Sequence, residues 1–355
     1  MIGETMEWAR PAGVWESGRG SAMPEPAGPL SAAVRTLLAG RSMPGDAGNA
    51  LSQADPYGLD LHLALYLCYE LHYRGLYRVA DEMEWNLDVI GLRVAMEERF
   101  LKALRADVPG GNNLEAEVDA LVAEPVDGRG VSYHLADDGL LWQFREYIAL
   151  RSLYHLKEGD PQAWVIPRLH GAAKAAIVSV EHDEYGGGRA ERMHSHLFAD
   201  MMRELDLSPS YGEYLGSAPA TVLAEVNLMS LCGLRRRLRG ASIGQFAVIE
   251  LTSSPGSARL VRGAQRLGAG PATEHFYAEH VEADAVHEQI LRRGVLAPLV
   301  QDEPCIAPDI VFGIQASGLL ASRFTDVVLQ AWSRGESALR SPLDESSYPT
   351  CRDDA

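Results

Sequence analysis

The chain contains few cysteines, and those it has are far apart. Four occur in 355 residues, at Cys68, Cys232, Cys305 and Cys351, and no two of them form a CxxC pair. Neither a cysteine-based structural zinc site nor a disulfide framework is therefore indicated. We expect these thiols to be reduced, as in a cytoplasmic protein.

Basic residues are scarce relative to acidic ones. The chain has 32 Lys+Arg against 49 Asp+Glu, which gives a formal net charge of -17 at pH 7. Nucleic-acid backbones and anionic membrane surfaces both attract proteins with a basic footprint, which this composition does not favour. We therefore expect no nucleic-acid partner and no membrane partner.

Long apolar runs are also missing, although hydrophobic residues make up 46% of the chain and can form a sizeable core. No segment approaches the roughly 18 uninterrupted apolar residues of a membrane-spanning helix. The N-terminus carries no signal-peptide pattern. Residues 1–50 are rich in Gly, Pro, Ala and Ser, and this composition predicts a disordered N-terminal segment.

The remainder of the chain has helical patterning, and no alternating strand pattern of useful length appears. The sequence therefore predicts an all-α protein. A turn-rich break at Pro125–Gly130 suggests a boundary, with an accessory helical region over 51–125, a main domain over 126–336 and a polar tail over 337–355. Ser253-Ser254-Pro255-Gly256 is expected to interrupt the helical pattern again.

One predicted helix, between Ala272 and Arg293, carries a row of metal-binding side-chain types. His280, Asp284 and His287 are spaced at i, i+4 and i+7, which places them within roughly 20° of one line on the helix surface. Two imidazoles and a carboxylate on one stripe suit iron, manganese or zinc. An ordinary charged helix that happens to carry histidines is the alternative.

Further carboxylates and one histidine occur in the other predicted helices. Glu146 and Glu250 lie in apolar stretches, where a carboxylate must be paired, protonated or metal-bound because burying a bare charge is costly. His194 has two acidic neighbours, Glu184 and Glu191, and the Glu191/His194 pair has the i, i+3 spacing of helical-bundle di-metal sites. Such an oxygen-rich set favours a di-iron or di-manganese centre over a structural zinc site.

The residues described above match the sequence motifs of a known protein family. The chain from about Ala136 to Trp332 resembles the haem-oxygenase-like di-iron oxidases, also described as iron-containing redox enzymes. The His-x-x-x-Asp-x-x-His pattern is moderately specific alone and fairly specific together with the upstream Glu and His residues. The stretches that match are Arg145-Glu146-Tyr147, Ser152–Glu158, Asp183-Glu184-Tyr185-Gly186, Met193-His194-Ser195, Phe246–Glu250 and His280–His287.

The resemblance implies a haem-oxygenase-like helical bundle with an additional N-terminal helical region. It implies two Fe(II) ions, with manganese as an alternative, and O2 as co-substrate. Glu184 is preferred to Glu191 because the Asp-Glu-Tyr-Gly motif matches, and Glu191 is kept in reserve. The metal ligands that it implies are Glu146, Glu184, His194, Glu250, His280, Asp284 and His287.

The reaction implied is O2 activation through a peroxo-di-iron intermediate. The oxidant would act on a small amine, an amino acid or a fatty-acid-like substrate, by N-oxygenation or by oxidative C–C cleavage. The resemblance also suggests a homodimer. Arginines near the predicted site could bind a substrate carboxylate, which arginine does well by bidentate pairing; the candidates are Arg189, Arg192 and Arg235–Arg237.

Three other functions fit parts of the pattern. A ferritin-like di-metal protein would usually show two Glu-x-x-His pairs, and only Glu191/His194 fits. A metal-dependent hydrolase is suggested by His182-Asp183, although the spacing of His280 and its neighbours does not match that class well. A metal-free helical binding or dimerisation protein of the same fold is the third alternative.

Overall fold

The computed structural model describes residues 21–123 and 128–343. The structure is 75% helical. Within these residues there is no β-strand, only an isolated bridge between Ser21 and Leu76. The prediction of an all-α protein is confirmed.

The helices are connected by short turns and by brief 3-10 segments. A π-helical stretch at Ile290–Leu296 joins two of them. The α-helices, numbered in chain order, are α1 (Pro29–Leu38), α2 (Ala47–Gln53), α3 (Leu59–Glu70), α4 (Leu87–Asp107), α5 (Leu114–Val122), α6 (Val131–Asp137), α7 (Leu141–His155), α8 (Asp160–Ala163), α9 (Gly171–Glu184), α10 (His194–Glu204), α11 (Ala220–Leu234), α12 (Arg239–Leu267), α13 (Pro271–Gln289), α14 (Ala297–Asp302) and α15 (Ala307–Ser333).

Helix α12 is the central element, and it packs along both α13 and α15. Glycines allow α12 and α15 to approach backbone to backbone. A Cβ added at Gly244 would lie 2.1 Å from the carbonyl oxygen of Ile310, and one added at Gly313 would lie 2.2 Å from that of Ala241. These two contacts bring the helices together and place Glu250, on α12, in the interior.

The expected interruption at Ser253–Gly256 does not occur, because α12 continues through Pro255 to Leu267. A proline inside a helix removes one backbone hydrogen bond and costs about 3 kcal/mol. Here the helix buries apolar side chains on both sides of the proline, including Leu251 and Leu260. Tertiary packing therefore outweighs the local preference for a break.

The prediction of disorder over residues 1–50 is wrong for the segment that forms α1, while residues 1–20 lie outside the described part of the chain. Leu30, Val34 and Leu37 are buried. Asp60 at the start of α3 accepts hydrogen bonds from the backbone N–H groups of Leu30 and Ser31, at 2.9 and 2.8 Å. A side chain distant in sequence thus caps α1, which composition alone cannot show.

The N-terminal helices share the core of the main domain instead of forming a separate body. Helix α3 packs against α1, α4 and α11, and its side chains belong to the same hydrophobic cluster as those of α7 and α15. The buried ion pair between Glu70 Oε2 and Lys157 Nζ, at 3.2 Å, connects α3 to the turn after α7. The predicted boundary falls at residues 124–127, outside the described residues.

The polar tail predicted over residues 337–355 begins with residues that are packed into the fold. Ala338 and Leu339 are buried in the main core, and Arg340 N donates to Ser217 O at 2.8 Å. Residues 344–355 lie outside the described residues. The chain is therefore packed against the main domain at least as far as Arg340.

The segment Pro304–Ser333, which contains α15, is long and apolar enough to cross a bilayer by length and composition. Half of its most apolar window is buried inside the fold. This is weak evidence for a membrane span, since a core helix of a soluble protein meets the same criterion. The absence of a membrane partner stays a prediction.

Candidate metal centre

Four helices and one turn bring the acidic and histidine side chains together. Helix α9 ends at Glu184 and α10 begins at His194. Between them Gly186, Gly187 and Gly188 all have left-handed φ values, of 70°, 63° and 79°. Because glycine adopts this conformation without strain, the chain can reverse here and bring Glu184 back towards His194.

The first cluster consists of side chains from α9, α12 and α13. Glu184, Glu250, Asp284 and His287 are all buried, and one potential ligand atom from each lies within 4.8 Å of the others. His287 Nδ1 is 2.9 Å from Glu250 Oε2, 3.3 Å from Asp284 Oδ1 and 3.7 Å from Glu184 Oε1. Three carboxylates thus converge on one ring nitrogen.

The other ring nitrogen of His287 faces away from the cluster. Its Nε2 lies 3.2 Å from Asp183 Oδ2, and the Asp183 side chain is 51% exposed. When Nε2–H donates a hydrogen bond to a carboxylate, the proton stays on Nε2 and the lone pair of Nδ1 is free to bind a metal. Asp183 therefore acts on the orientation and tautomer of His287 from outside the cluster.

The second cluster contains Glu158, His194 and His280, all buried and again with ligand atoms within 4.8 Å of one another. His280 Nδ1 donates to the carbonyl oxygen of Phe276 at 2.8 Å, which directs Nε2 towards Glu158 Oε2, 3.7 Å away. The other carboxylate oxygen of Glu158 lies 2.7 Å from His155 Nδ1. The His194 and His280 rings are 4.3 Å apart between centroids.

Glu184 connects the two clusters. Its Oε2 lies 2.8 Å from His194 Nδ1, while its Oε1 faces His287 Nδ1 of the first cluster. A carboxylate with one oxygen directed to each of two sites has the arrangement of a bridging ligand in helical-bundle di-metal proteins. The two clusters are therefore adjacent halves of one centre.

Several polar atoms of this centre lack hydrogen-bond partners among the described residues. They include His194 Nδ1, His280 Nε2 and Glu158 Oε2, each buried. His194 Nδ1 approaches Glu184 closely, but without the geometry of a hydrogen bond. Buried polar groups are almost always paired, so unpaired ones that converge on a common point indicate a ligand-binding site. The donor set therefore fits metal ions.

The electrostatics of the centre show an excess of negative charge. Burial raises the pKa of Glu250 to about 8, with a further contribution from the nearby Asp284. Burial opposes charge on His287, but its hydrogen bonds with Asp284 and Glu250 raise its pKa to about 11. Glu158 likewise raises the pKa of His280 to about 10, against the effect of burial. The surrounding carboxylates favour positive charge at this position.

Glu181 is a further buried carboxylate, one turn before Glu184 on α9. Both of its oxygens lack hydrogen-bond partners among the described residues. Burial, together with the neighbouring Glu184 and Glu250, raises its pKa to about 9. Its position beside the centre was not recognised from the sequence, although the i, i+3 spacing to Glu184 is a signal that could have identified it.

The structure corrects the prediction for Glu146, which belongs to neither cluster. Its Oε2 accepts hydrogen bonds from Trp332 Nε1 and Ala338 N, both at 2.9 Å, and its Oε1 accepts one from Ser337 Oγ. It also lies nine residues before His155 on α7, which corresponds to about 13 Å along a helix. The buried charge is thus satisfied by the C-terminal segment.

Glu158, three residues after the end of α7, is the carboxylate from this region that reaches the centre. The sequence did not identify it. It lies in the polar run Lys157-Glu158-Gly159-Asp160, which is typical of a solvent-exposed helix end. Gly159, with a φ of 86°, allows the turn that directs this side chain inward. His155, three residues earlier, was the available signal.

The remaining predicted ligands and alternatives are distributed as follows. His194, Glu250, His280, Asp284 and Glu184 lie in the two clusters. Glu191, the reserve ligand, is exposed in the segment that precedes α10 and belongs to neither cluster. His182, which suggested a hydrolase, is exposed and also belongs to neither.

The arginines considered as substrate anchors occupy different surroundings. Arg235 Nε donates to Glu97 Oε2 at 2.6 Å, which engages it in an ion pair with α4. Arg192 lines a surface pocket beside His194, and Arg189 is exposed. The geometry does not single out any of them as a carboxylate anchor.

Comparison with protein families supports an iron centre. A family model described as iron-containing redox enzyme matches residues 145–321, which include every member of the two clusters. The match and the helical architecture together confirm the predicted haem-oxygenase-like fold. No curated protein matched the chain.

Proposed function

Because residues 145–321 belong to the iron-containing redox enzymes, and the protein is accordingly an iron-dependent oxidoreductase, we propose that it is a non-haem di-iron oxidase that uses O2. The observation that carries the proposal is the position of Glu184, with one carboxylate oxygen directed to each cluster. The first ion would be held by Glu250, Asp284 and His287, and the second by the other cluster. Glu184 would bridge them.

The charge of the centre supports two divalent ions. The two clusters contain four carboxylates and three histidines. Among the described residues, the close ion pairs of these carboxylates are all with histidines and none is with lysine or arginine. With neutral imidazoles the set carries four negative charges, which two Fe(II) ions would balance. Burying such a set without cations is costly, because ionised carboxylates are strongly destabilised away from water. Manganese is an alternative metal with the same preference for this donor set.

When bound, iron supplies the redox chemistry with O2, and the residues of this chain supply orientation and shielding. The carbonyl oxygen of Phe276 holds the His280 ring so that Nε2 points into the centre. Asp183 holds the His287 ring through Nε2, so that Nδ1 points into the centre. Phe198 and Phe276, both buried and with ring centroids 5.2 Å apart, exclude water beside the histidine pair.

A cavity of about 350 Å³ reaches the centre at His155 and His280. Arg129, Arg151 and Arg259 contribute to its lining, and within residues 21–123 and 128–343 no carboxylate does. Arg151 is ion-paired with Glu225 at 2.8 Å, so part of this positive charge is already balanced. In a chain of net charge -17, the excess of arginine that remains favours an anionic ligand. Aromatic rings form much of the remaining wall: Tyr133, Tyr147, Phe276, Tyr277 and Phe324.

This cavity supports a substrate that carries a carboxylate, such as an amino acid or a fatty-acid-like molecule, over a simple amine. The carboxylate would bind towards the arginines, the apolar portion would contact the aromatic rings, and the reacting atom would lie near His280. The reaction is then N-oxygenation or oxidative C–C cleavage of that substrate. The volume is within the range for a small-molecule site.

The proposal is tested by anaerobic titration of metal-free protein with Fe(II), followed by an O2 pulse with stopped-flow absorbance. We expect two irons per chain and a transient visible band. The His194→Ala variant should bind fewer irons, while His196→Ala, a histidine on the same helix outside both clusters, should bind as wild type. No iron uptake by wild type, or equal uptake by His194→Ala, would contradict the di-iron function.

We further propose a homodimer in the cytoplasm. The family resemblance supports the dimer, and the cysteine usage supports the compartment. Sedimentation equilibrium of the purified chain tests the dimer, and a mass of one chain, 38.6 kDa, would contradict it.

A further inference from the structure

A second pocket approaches the centre from the side of His194. It is a cavity of about 490 Å³ between the start of α10, the glycine turn before it and one face of α13. Four carboxylates and one arginine line it, so its charge is -3 when the histidines are neutral. We call it the acidic vestibule, and its charged residues are Asp183, Glu191, Arg192, Glu279 and Glu282.

The inner end of the acidic vestibule contacts both clusters. His194 lines it and is only 4% exposed. Its Nδ1 makes no hydrogen bond in the described chain, although Glu184 Oε2 lies 2.8 Å away. Asp183, also in the lining, is half exposed and lies 3.2 Å from Nε2 of His287. One buried ligand of each cluster is therefore reached from this pocket, directly or through a single carboxylate.

The two cavities at the centre differ in charge: carboxylates outnumber arginine in the acidic vestibule, whereas three arginines, of which Arg151 is ion-paired with Glu225, line the other. His194 lines the acidic vestibule and His280 lines the arginine-containing cavity, and these two rings are 4.3 Å apart. A cleft with one sign of charge concentrates ions of the opposite sign and raises their association rate by about 10- to 1,000-fold. A cation is thus attracted to the His194 side, while the lining on the His280 side offers it no carboxylate among the described residues.

We infer that the acidic vestibule is the entry route by which Fe(II) reaches the two clusters. This inference rests on the proposed di-iron function. Exposed Glu279 and Glu282 attract the hydrated ion, and Asp183 offers oxygen ligands between solvent and the buried set. The vestibule carboxylates act on the rate of metal uptake and not on the final occupancy, because they belong to neither cluster.

The test measures the rate of Fe(II) uptake by the full metal-free chain under anaerobic conditions, by competition with a chromogenic Fe(II) chelator. The Glu279→Gln/Glu282→Gln double variant removes two vestibule charges. We expect its uptake at low ionic strength to be about 3- to 10-fold slower than wild type, with the same iron content at equilibrium. The difference should largely disappear at about 0.5 M salt, where charges are screened within a few ångströms.

The matched control is Glu115→Gln/Asp119→Asn, which makes the same change in net charge on α5. Both residues are exposed and line neither cavity. We expect this variant to take up iron at the wild-type rate. An equal slowing of the control would show an effect of overall charge and would overturn the assignment of the route.

Three further outcomes would overturn the inference. Unchanged uptake by the vestibule variant at low ionic strength would show that iron enters elsewhere, while leaving the di-iron function intact. A lower iron content at equilibrium in that variant would make Glu279 or Glu282 a ligand and not part of an entry route. A wild-type chain that binds no iron would overturn the inference together with the proposed function.

Discussion

The two acidic residues associated with α7 should respond in opposite ways to the same substitution. Glu158 lies in the second cluster with His194 and His280, whereas Glu146 accepts three hydrogen bonds from the C-terminal segment. Glu158→Gln should impair iron binding. Glu146→Gln should instead lower the free energy of unfolding and leave iron binding intact.

The expected magnitudes follow from these contacts. Glu158 would be one of three ligands in its cluster, and loss of an outer-shell partner alone typically costs 10- to 100-fold in metal affinity. We therefore expect the second site to weaken by at least about 100-fold in Glu158→Gln. In Glu146→Gln the amide can retain all three partners, but two bonds to Oε2 lose the assistance of a charge, at about 1 kcal/mol each. A loss of about 2 kcal/mol is expected.

The assays are an equilibrium Fe(II) titration and urea unfolding of the metal-free protein. Glu158→Gln should bind one iron at concentrations where wild type binds two. Glu146→Gln should bind two irons and have a lower urea midpoint with an unchanged slope. If Glu146→Gln lost an iron while Glu158→Gln bound both with wild-type affinity, the ligand assignment drawn from the structure would be refuted.

Two further predictions concern stability away from the centre. Burial lowers the pKa of His62 from 6.5 to about 4, so the unfolded chain binds a proton at a higher pH than the folded chain does. The stability that is present above pH 6.5 should therefore be lost as the pH falls towards 4. We expect the free energy of unfolding to decrease by about 2–3 kcal/mol between pH 7 and 4.5. Urea midpoints at the two pH values should differ less in His62→Gln, and an equal difference would contradict this account. Gly244→Ala should destabilise the protein by more than about 1 kcal/mol, because the added Cβ would meet the Ile310 carbonyl. Gly91→Ala, on an open helix surface, should instead stabilise the protein by up to about 1 kcal/mol. Thermal unfolding of both variants checks this, and equal shifts would argue against the close contact.

The N-terminal segment and α12 show where local sequence preference was insufficient. The composition of residues 1–50 predicts disorder, yet α1 forms because Asp60 caps it and its apolar side chains enter a core built largely by later helices. Pro255 predicts a break, yet burial on both sides of it maintains one helix. In both cases contacts between residues distant in sequence supply the stabilising free energy.

The sequence by itself determined the helical class and the metal-binding stripe of α13. The pitch of a single helix places His280, Asp284 and His287 on one side, and this does not depend on how the helices pack. The tertiary structure decided which other carboxylates join that stripe. Whether Glu184 or Glu191 faces His194 depends on the turn at three glycines, and whether Glu146 or Glu158 is a ligand depends on which end of α7 meets α13. Periodicity assigns a side chain to a face of its own helix, but the distance between two helices is set by packing, which the pattern within one helix does not contain.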